Sequence, residues 1–520
     1  MGHEIRVTSF YNGITLNEEL TGLEFEAIIK PLVEEAIAVA DGALSKADIK
    51  PSELASVLLA GGTSQIPLVQ DLLKEHLGRE TQIVSADLMW LIAKGAAIHH
   101  RDIFSRPTEA TQQILGANLF LETATYGRLE PTLLVRAHQT LPHTCFREFP
   151  INAHTTDLTI QLLSQSNADD GEPISLARRE IQVSGKSLSK IGVNIIIDTN
   201  KTIKVSVVDP TTKLPIEKVE IQGDILSTAA EVKKARENYG LQAVKASHPM
   251  QSQRYAIGID LGTTTCEAMV YDLTEQTFSR GIESPLLSRV LIPKSGTPDF
   301  TNDQHIGNRF SSLEDPNNFW NFKVDIGKDT DAAQHRKYSW DGKLWPPEIL
   351  SAYLLAAIWK QLQEKLGAEA ISQAVITVPS DFSHDQNALV EQAAKIAGIA
   401  NPILLTEPVA AALAYTEEFV DVGRAGQNFL IFDFGGGTTD VCVIKTKPDK
   451  KIEELGRNGN NSIGGEKLTI KITDAIIDRF MKANQIQDKP IGEAKLRNRL
   501  KDKIDEAKVA ISQALAKGDD

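Results

Sequence analysis

The segment Tyr255–Thr265 reads YAIGIDLGTTT, an apolar run that passes directly into Asp260, Gly262 and a row of threonines. The run predicts a buried strand, and Gly262 permits a tight turn with close approach of the backbone to a ligand. Thr263 and Thr264 supply donors for phosphate oxygens, and the Asp260 carboxylate is a hard oxygen ligand that suits magnesium. The segment therefore predicts a phosphate-binding loop, with an ordinary strand and turn as the alternative.

The same design recurs in Phe429–Asp440, which reads FLIFDFGGGTTD. Its turn consists of Gly435, Gly436, Gly437 and Thr438. This is more glycine than a hairpin needs, and glycine loses the most conformational entropy on folding. Two such loops predict two lobes that bind one nucleotide from opposite sides. Asp433 and Asp440 would hold magnesium and orient water. No Walker A sequence is present, so the loops are not of the P-loop type.

A third glycine pair follows a short apolar strand. The segment Val57–Ser64 reads VLLAGGTS, and Gly61 and Gly62 precede a stretch with a helical pattern. Bare backbone at this point would let a flat adenosine lie against it. A plain turn between strand and helix is the alternative.

Composition narrows the class of protein. The chain has 520 residues, 42% of them hydrophobic, and a formal net charge of -14. An acidic excess argues against nonspecific nucleic-acid binding, which needs Lys and Arg to neutralise phosphates. Three scattered cysteines, Cys145, Cys266 and Cys442, suggest neither a disulfide framework nor a zinc site. With no apolar stretch long enough to span a bilayer and no signal peptide, we expect a cytoplasmic protein without membrane contact.

The pattern of apolar and polar residues changes three times along the chain. The first 105 residues mix helical and strand patterns, with a helix predicted over Leu16–Gly42. Residues 106–225 consist of short strand-like runs separated by turns, which predicts an all-β module. Residues 226–253 contain one short charged helix and a linker, and residues 254–520 alternate strands and helices again.

At this level the motifs resemble a known fold. Asp260–Thr264, Asp433–Thr438 and Gly61–Gly62 look like the two phosphate motifs and the adenosine motif of the actin, hexokinase and heat-shock ATPase fold. Three further segments, AVITVP at Ala374–Pro379, TEPVAAALAY at Thr406–Tyr415 and Gly464–Glu466, resemble the DnaK family of seventy-kilodalton heat-shock chaperones. Within the β module, Leu133–Val135, Leu141–Pro142 and Leu158–Ile160 are similar to the peptide-binding sandwich of that family.

The resemblance implies an α/β, two-lobed actin-like ATPase domain with RNase H-like lobes and an inserted β-sandwich. The segments stand in an unusual order, however. Residues 1–105 resemble the C-terminal part of the ATPase domain and residues 254–520 its N-terminal part, with the sandwich at 106–225 between them. We therefore expect a circularly permuted member of the family, with an artefactual or engineered gene order as the alternative.

The resemblance also implies roles for individual residues. Asp260, Asp433 and Asp440 would surround the magnesium, phosphate and water, with Asp260 and Asp433 holding the metal largely through water. Lys323 matches the catalytic lysine and Glu407 the carboxylate that orders water. The remaining expected ATP contacts are Gly262, Thr263, Thr264, Thr265, Gly435, Gly436, Gly437, Thr438, Gly464, Gly465, Glu466, Asp505, Lys508, Ser512, Gly61, Gly62, Thr63, Gln65 and Ile66. Gln65 stands where the family usually has an arginine that stacks on adenine.

The β module implies a peptide site in the same way. Its candidate residues are Leu121, Thr123, Phe149, Leu158 and Ile160, with membership of the sandwich core as the alternative for each. The apolar interdomain linker of the family is missing from Ser105–Glu109, which argues against ATP-driven coupling between the domains. Only one short helix follows the module, where the family has a full helical lid. A bound peptide would therefore exchange quickly.

These observations predict an ATP-hydrolysing chaperone that uses ATP or ADP with Mg²⁺ and binds extended apolar peptides. A J-domain co-chaperone and a nucleotide-exchange factor are the expected partners. The alternatives are a nucleotide-gated binding or scaffold protein with weak turnover, an actin-like filament protein and, least favoured, a sugar kinase.

Overall fold

The structure is a computed structural model of the chain. It describes residues 2–85, 90–105, 115, 117–125, 128–136, 139–152, 157–166, 173–182, 189–198, 203–217, 229–241, 254–307, 315–328, 337–368, 370–419, 425–448, 451–486 and 493–517. Residues 106–109, where the sequence lacks the family's apolar linker, lie outside this set.

The chain begins with an antiparallel hairpin, β1 (Gly2–Tyr11) and β2 (Ile14–Thr21), followed by helix α1 (Gly22–Ala47). The prediction of one helix over Leu16–Gly42 is therefore wrong at its start. Leu16 and Leu20 are buried on one face of β2, and their even spacing fits a strand as well as a helix. The helix starts after Thr21 because Thr21 and Glu24 form a capping box.

A short α/β segment follows α1. It contains β3 (Leu54–Ala60), α2 (Pro67–Leu77), β4 (Ile83–Val84) and α3 (Leu91–Ser105). A 3₁₀ turn over Gly62–Gln65 connects β3 to α2.

The predicted all-β module is a pair of four-stranded antiparallel sheets. The strands are β5 (Ala117–Thr125), β6 (Arg128–Val135), β7 (His143–Pro150), β8 (Asp157–Ser166), β9 (Ile174–Gln182), β10 (Lys190–Ile197), β11 (Ile203–Val208) and β12 (Pro215–Glu217). One sheet has the order β6-β5-β8-β9 and the other β12-β11-β10-β7. Their inner faces share one apolar core, which includes Leu134, Val193 and Val205.

A helix, α4 (Ala229–Asn238), follows the module. After it comes a sheet that we call the first lobe, with the order β15-β14-β13-β21-β22 and β16 beside β14. The strands of this region are β13 (Tyr255–Leu261), β14 (Thr265–Asp272), β15 (Thr277–Arg280), β16 (Leu286–Leu287), β17 (Arg289–Leu291), β18 (Asn318–Trp320), β19 (Ser339–Trp340), β20 (Lys343–Leu344), β21 (Gln373–Val378) and β22 (Asn401–Thr406). Helices α5 (Pro347–Leu366) and α6 (His384–Ile396) pack on this sheet.

A separate sheet of five strands, the second lobe, has the order β25-β24-β23-β3-β4. Its late strands are β23 (Asn428–Phe434), β24 (Thr439–Thr446) and β25 (Ile452–Asn460). Strand β23 pairs in parallel with β3, so this lobe is assembled from early and late parts of the chain. The remaining helices in the described ranges are α7 (Glu407–Phe419), α8 (Gly465–Ala483) and α9 (Glu493–Lys517).

The two lobes meet through α3 and α7, which share an apolar cluster with both sheets. At this junction the backbones of neighbouring elements approach each other closely. A Cβ on Gly95 of α3 would lie 1.7 Å from the Ala410 carbonyl oxygen, and one on Gly258 of β13 would lie 2.2 Å from the Ala93 carbonyl oxygen. Glycine is required at both positions because a side chain would push backbone apart. The mixed α/β architecture predicted from sequence is confirmed. None of the helices in the described ranges is long and apolar enough to cross a membrane.

Candidate functional site

The two glycine-containing hairpins lie against each other where the two lobes meet. The first is β13–β14, and the second is β23–β24, in which Asp433 pairs with Asp440 across the strands. A Cβ on Gly436 would lie 2.1 Å from the Thr264 hydroxyl oxygen, and one on Gly437 would lie 2.8 Å from the Thr263 hydroxyl oxygen. The glycines therefore allow the two turns to come into direct contact.

Buried charges gather beside these turns. The ammonium of Lys323, in a short 3₁₀ turn, donates to the carboxylate of Glu407 at the start of α7. The Thr377 hydroxyl donates to Asp260 Oδ1 at 2.6 Å. Lys323 and the carboxylates of Asp260, Glu407, Asp433 and Asp440 are all buried.

Burial and mutual repulsion perturb these groups. Burial raises the pKa of Glu407 to about 7, although the neighbouring Lys323 ammonium opposes the rise. Burial, followed by the charges of Glu407 and Asp440, raises the pKa of Asp433 well above its ordinary value. For Lys323, burial favours the neutral amine, but the charges of Glu407 and Asp260 outweigh it, and its pKa is raised. The lysine therefore stays charged, while the raised pKa values of Glu407 and Asp433 disfavour ionisation of these two carboxyl groups.

Two carboxylates of the second hairpin are left partly unsatisfied. In the described part of the chain, Asp433 Oδ2 and Asp440 Oδ2 have no hydrogen-bond partner. The other oxygen of Asp440, Oδ1, accepts bonds from the Ser380 amide at 2.6 Å and the Ser380 hydroxyl at 2.5 Å. Buried acceptors without partners are costly, so these two oxygens are suited to a cation or a ligand donor.

The third glycine pair lies against the second hairpin. Gly61 has a φ of +74°, and a Cβ there would lie 2.4 Å from Asp433 Oδ1, so only glycine fits without strain. Gly62 faces open space, and the Thr63 hydroxyl donates to the Gly435 carbonyl oxygen at 2.8 Å. The neighbouring Gln65 is exposed, whereas the side chain of Ile66 is buried in the apolar core of the second lobe.

The N-terminus of α8 also joins the second hairpin. The amides of Gly465 and Glu466 donate to the carbonyl oxygens of Gly435 and Gly436 at 2.9 and 2.7 Å. From α9, the Lys508 ammonium donates to the Gly465 carbonyl oxygen at 3.2 Å. The structure thus brings Gly464–Glu466 and Lys508 to the hairpin that Thr63 contacts.

A charged network fixes α9 in this position. Asp505 accepts bonds from Lys501 at 2.9 Å and from Lys508 at 3.0 Å, while Lys501 also bonds to Glu466 at 2.6 Å. Burial alone would raise the pKa of Asp505, but the two ammonium groups outweigh it and lower the pKa. The Ser512 hydroxyl donates to the Lys508 carbonyl oxygen at 2.7 Å, one turn away.

The remaining expected phosphate contacts lie at the hairpin turns. A Cβ on Gly262 would lie 2.1 Å from the Thr265 carbonyl oxygen, which shows how tight the first turn is. The Thr265 hydroxyl donates to Glu267, which faces Asp260 across the hairpin. Thr438 is buried in the second turn.

The candidate peptide residues lie apart from these hairpins, in the β-sandwich. Leu121 and Ile160 are buried between the two sheets, and Phe149 and Leu158 are half-buried against the same core. Thr123 lies in β5, and its side chain is outside the described part.

The profile of the family described as Hsp70 protein matches residues 2–254 and 300–518. The chain belongs to the Hsp70 family. One curated relative of this Hsp70-family chain, named Chaperone protein DnaK, comes from Endomicrobium trichonymphae and is 34% identical over 270 residues. The aligned part spans 50% of this chain and 40% of the relative.

Family membership confirms the recognition of a DnaK-type chain, and it favours none of the scaffold, filament or sugar-kinase alternatives. Several site residues of this Hsp70-family chain were not found from its sequence, among them Thr377, Ser380, Lys501 and Glu267. Thr377 and Ser380 bond to residues 117 and 60 positions away, and Lys501 bonds to Glu466, 35 positions away. Glu267 bonds to the nearby Thr265, and its place opposite Asp260 depends on the register of the hairpin. A weak signal exists for Thr377 and Ser380, because Thr377 lies within the motif Ala374–Pro379 and Ser380 directly follows it.

Among the described residues, no group of three or more His, Cys, Asp or Glu side chains is arranged to hold a metal ion. A metal at this site would need further ligands beyond the protein side chains.

Proposed function

We propose that this chain binds ATP between its lobes and hydrolyses it to ADP and phosphate, as part of an ATP-dependent chaperone. The observation that carries the proposal is the contact of two glycine turns beside a buried cluster of one lysine and four carboxylates. Glycine turns offer backbone amides to phosphates, and the cluster offers groups for charge stabilisation and water positioning.

The donor set fits Mg²⁺. One ammonium against four buried carboxylates leaves an excess of negative charge, and the unpartnered oxygens of Asp433 and Asp440 favour a cation. Magnesium prefers oxygen ligands and keeps several waters, so two carboxylates with phosphate and water suffice. Asp260 and Asp433 would hold the ion, mostly through water, and it would supply charge neutralisation at the phosphates.

The residues of the chain perform the remaining tasks. Lys323 is held charged by Glu407 and would stabilise negative charge at the γ-phosphate. Glu407, with its pKa of about 7, is suited to order the attacking water and accept its proton near neutral pH. Asp440 would orient the same water. Thr263, Thr264, Thr438 and the glycine amides would bind phosphate oxygens.

The adenosine would lie between Gly61–Ile66 on one side and α8 and α9 on the other. Lys508 and Ser512 are the expected ribose and base contacts. Asp505 holds the Lys508 ammonium and so fixes its position. Because Ile66 is buried in the lobe core, its contribution to the base pocket would come from its backbone.

We further propose that the β-sandwich binds extended apolar segments of unfolded proteins, using Leu121, Thr123, Phe149, Leu158 and Ile160. A J-domain co-chaperone and an exchange factor would act on the ATPase domain, and the cytoplasm is the proposed location. These proposals rest on membership of the family, because the alignment covers only 40% of the DnaK relative.

We propose that the chain is a circular permutation of the family order. The support is the sequence of motifs along the chain together with the parallel pairing of the early strand β3 with the late strand β23. The domain limits proposed from sequence, 1–105, 106–225, 226–253 and 254–520, go with this order.

ATP turnover of the wild type beside Lys323→Ala and Asp433→Asn tests the enzymatic proposal. We expect each substitution to lower turnover by at least roughly 100-fold, since each removes a charged group from the reaction centre. Unchanged turnover in both variants would overturn the assigned roles. Adding an extended apolar peptide tests the chaperone proposal, because a coupled chaperone shows faster turnover with peptide and an uncoupled one does not.

A further inference from the structure

Ser380 connects the two lobes at the most buried carboxylate of the site. It follows the end of β21 in the first lobe, after Pro379, whereas Asp440 is the second residue of β24 in the second lobe. The Ser380 amide and hydroxyl both donate to the same oxygen, Asp440 Oδ1, at 2.6 and 2.5 Å. The residues are 4% and 0% exposed, so water does not compete for these bonds.

Two donors on one oxygen restrict the carboxylate more than one donor would. Hydrogen bonds to an ionised group are the strong ones, and they are stronger still where water is excluded. With Oδ1 doubly bonded, the carboxylate keeps Oδ2, which has no partner in the described ranges, as its site for a ligand or water. The orientation of Oδ2 is thereby set by Ser380.

The two bonds also depend on how the lobes are arranged. Donor and acceptor belong to different sheets, so both bonds exist only when β21 and β24 are this close. By contrast, Thr377 holds Asp260 within the first lobe, because β13 and β21 are neighbouring strands of one sheet.

We infer that Ser380 is a positioning residue for hydrolysis, which orients Asp440 across the lobes and does so only when the lobes are closed. The inference rests on the proposed ATPase function. Ser380 itself need not touch the nucleotide, since its effect passes through Asp440.

The test compares Ser380→Ala with Ser383→Ala. The control removes the same hydroxyl three residues away, where Ser383 caps α6 by accepting a bond from the Gln386 amide at 3.2 Å. ATP affinity is measured by equilibrium binding and the hydrolysis rate by single turnover. We expect Ser380→Ala to lower the rate roughly tenfold, as for loss of one bond to a charged group, with ATP affinity changed less than about twofold. The control should leave both within about twofold.

A double-variant cycle shows whether the effect passes through Asp440. If it does, Ser380→Ala combined with Asp440→Ala hydrolyses ATP no more slowly than Asp440→Ala alone. The inference would be overturned if the two substitutions slowed hydrolysis independently, so that their fold-losses in rate multiplied in the double variant. Equal hydrolysis rates in Ser380→Ala and Ser383→Ala would also overturn it. An inactive wild type would instead overturn the proposed function and this inference with it, so the two failures are distinguishable.

Discussion

The two hairpins share a sequence pattern but hold their carboxylates differently. In the first, Asp260 accepts a hydrogen bond from Thr377 of its own lobe, and one glycine forms the turn. In the second, Asp433 and Asp440 each retain an oxygen without a partner in the described part of the chain, and three glycines form the turn. The first hairpin thus has a carboxylate held within its own lobe, whereas both carboxylates of the second keep one oxygen unbonded among the described residues.

The difference separates what stabilises the fold from what serves a ligand. Unsatisfied buried carboxylates and consecutive glycines both oppose folding. Both features are concentrated in the second hairpin, which supports the ligand site proposed there, whereas the Asp260 carboxylate of the first hairpin is held by Thr377.

The largest expected effect comes from separating the hairpins. In Gly437→Ala, the new Cβ would lie 2.6 Å from Val324 Cγ1 and 2.8 Å from Thr263 Oγ1, so the turns must move apart. We expect the ATP affinity to fall at least about 100-fold and the apo protein to lose about 1–3 kcal/mol of stability. Equilibrium nucleotide binding and denaturant unfolding measure the two effects.

Gly435→Ala is the matched control, because its nearest contact would be 3.7 Å away. Its ATP affinity should stay within about tenfold of the wild type. Equal losses in the two variants would show that the glycines serve local backbone conformation and not the contact between hairpins.

Much of this architecture is predictable from sequence, because the hairpins are local. Apolar runs that end in Asp and Gly predict the strands β13 and β23 and the glycine turns after them. The start of α1 could not be placed, since Leu16 and Leu20 fit either a strand or a helix. Thr21 and Glu24, which form the capping box, decide the boundary.

Long-range contacts account for what sequence reasoning missed. Ser380 and Asp440 are 60 residues apart, and the sequence around neither residue indicates a contact with the other. In the sandwich, the alternation of a strand marks Leu121 and Ile160 as inward-facing without showing whether they line a pocket or fill a core. Tertiary packing makes that distinction.

A smaller effect, on stability, is expected from removing one carboxyl group of the second hairpin. Asp433→Asn removes a carboxyl group whose pKa is raised in the folded state by burial and by Glu407 and Asp440. A raised carboxyl pKa means that the folded state binds more protons than the unfolded state, so stability falls as pH rises above the ordinary value of 3.8. The apo variant should therefore exceed the wild type in unfolding free energy at pH 8, on the order of 2 kcal/mol, and by less at pH 5.

Denaturant unfolding at the two pH values measures this difference. Asp478→Asn, an exposed aspartate on α8, is the control and should show no pH-dependent gain. Saturating Mg²⁺ and ADP should reverse the order, because the wild-type carboxylate then has its partner. A stability gain that does not depend on pH would contradict a charge-based origin.

The smallest expected effect comes from making the first hairpin resemble the second. Thr377→Val keeps the shape of the side chain but removes the donor to Asp260 Oδ1. We expect a loss of about 1 kcal/mol in the apo protein and a half-saturating Mg²⁺ concentration for hydrolysis that rises by a factor of about 3, since Asp260 is then less firmly oriented. Thr416→Val, which removes a buried bond to the Ala412 carbonyl oxygen inside α7, should cost similar stability without changing the Mg²⁺ dependence. If both variants show the wild-type Mg²⁺ dependence, the Thr377 bond stabilises the lobe alone, and the contrast between the hairpins loses its functional meaning.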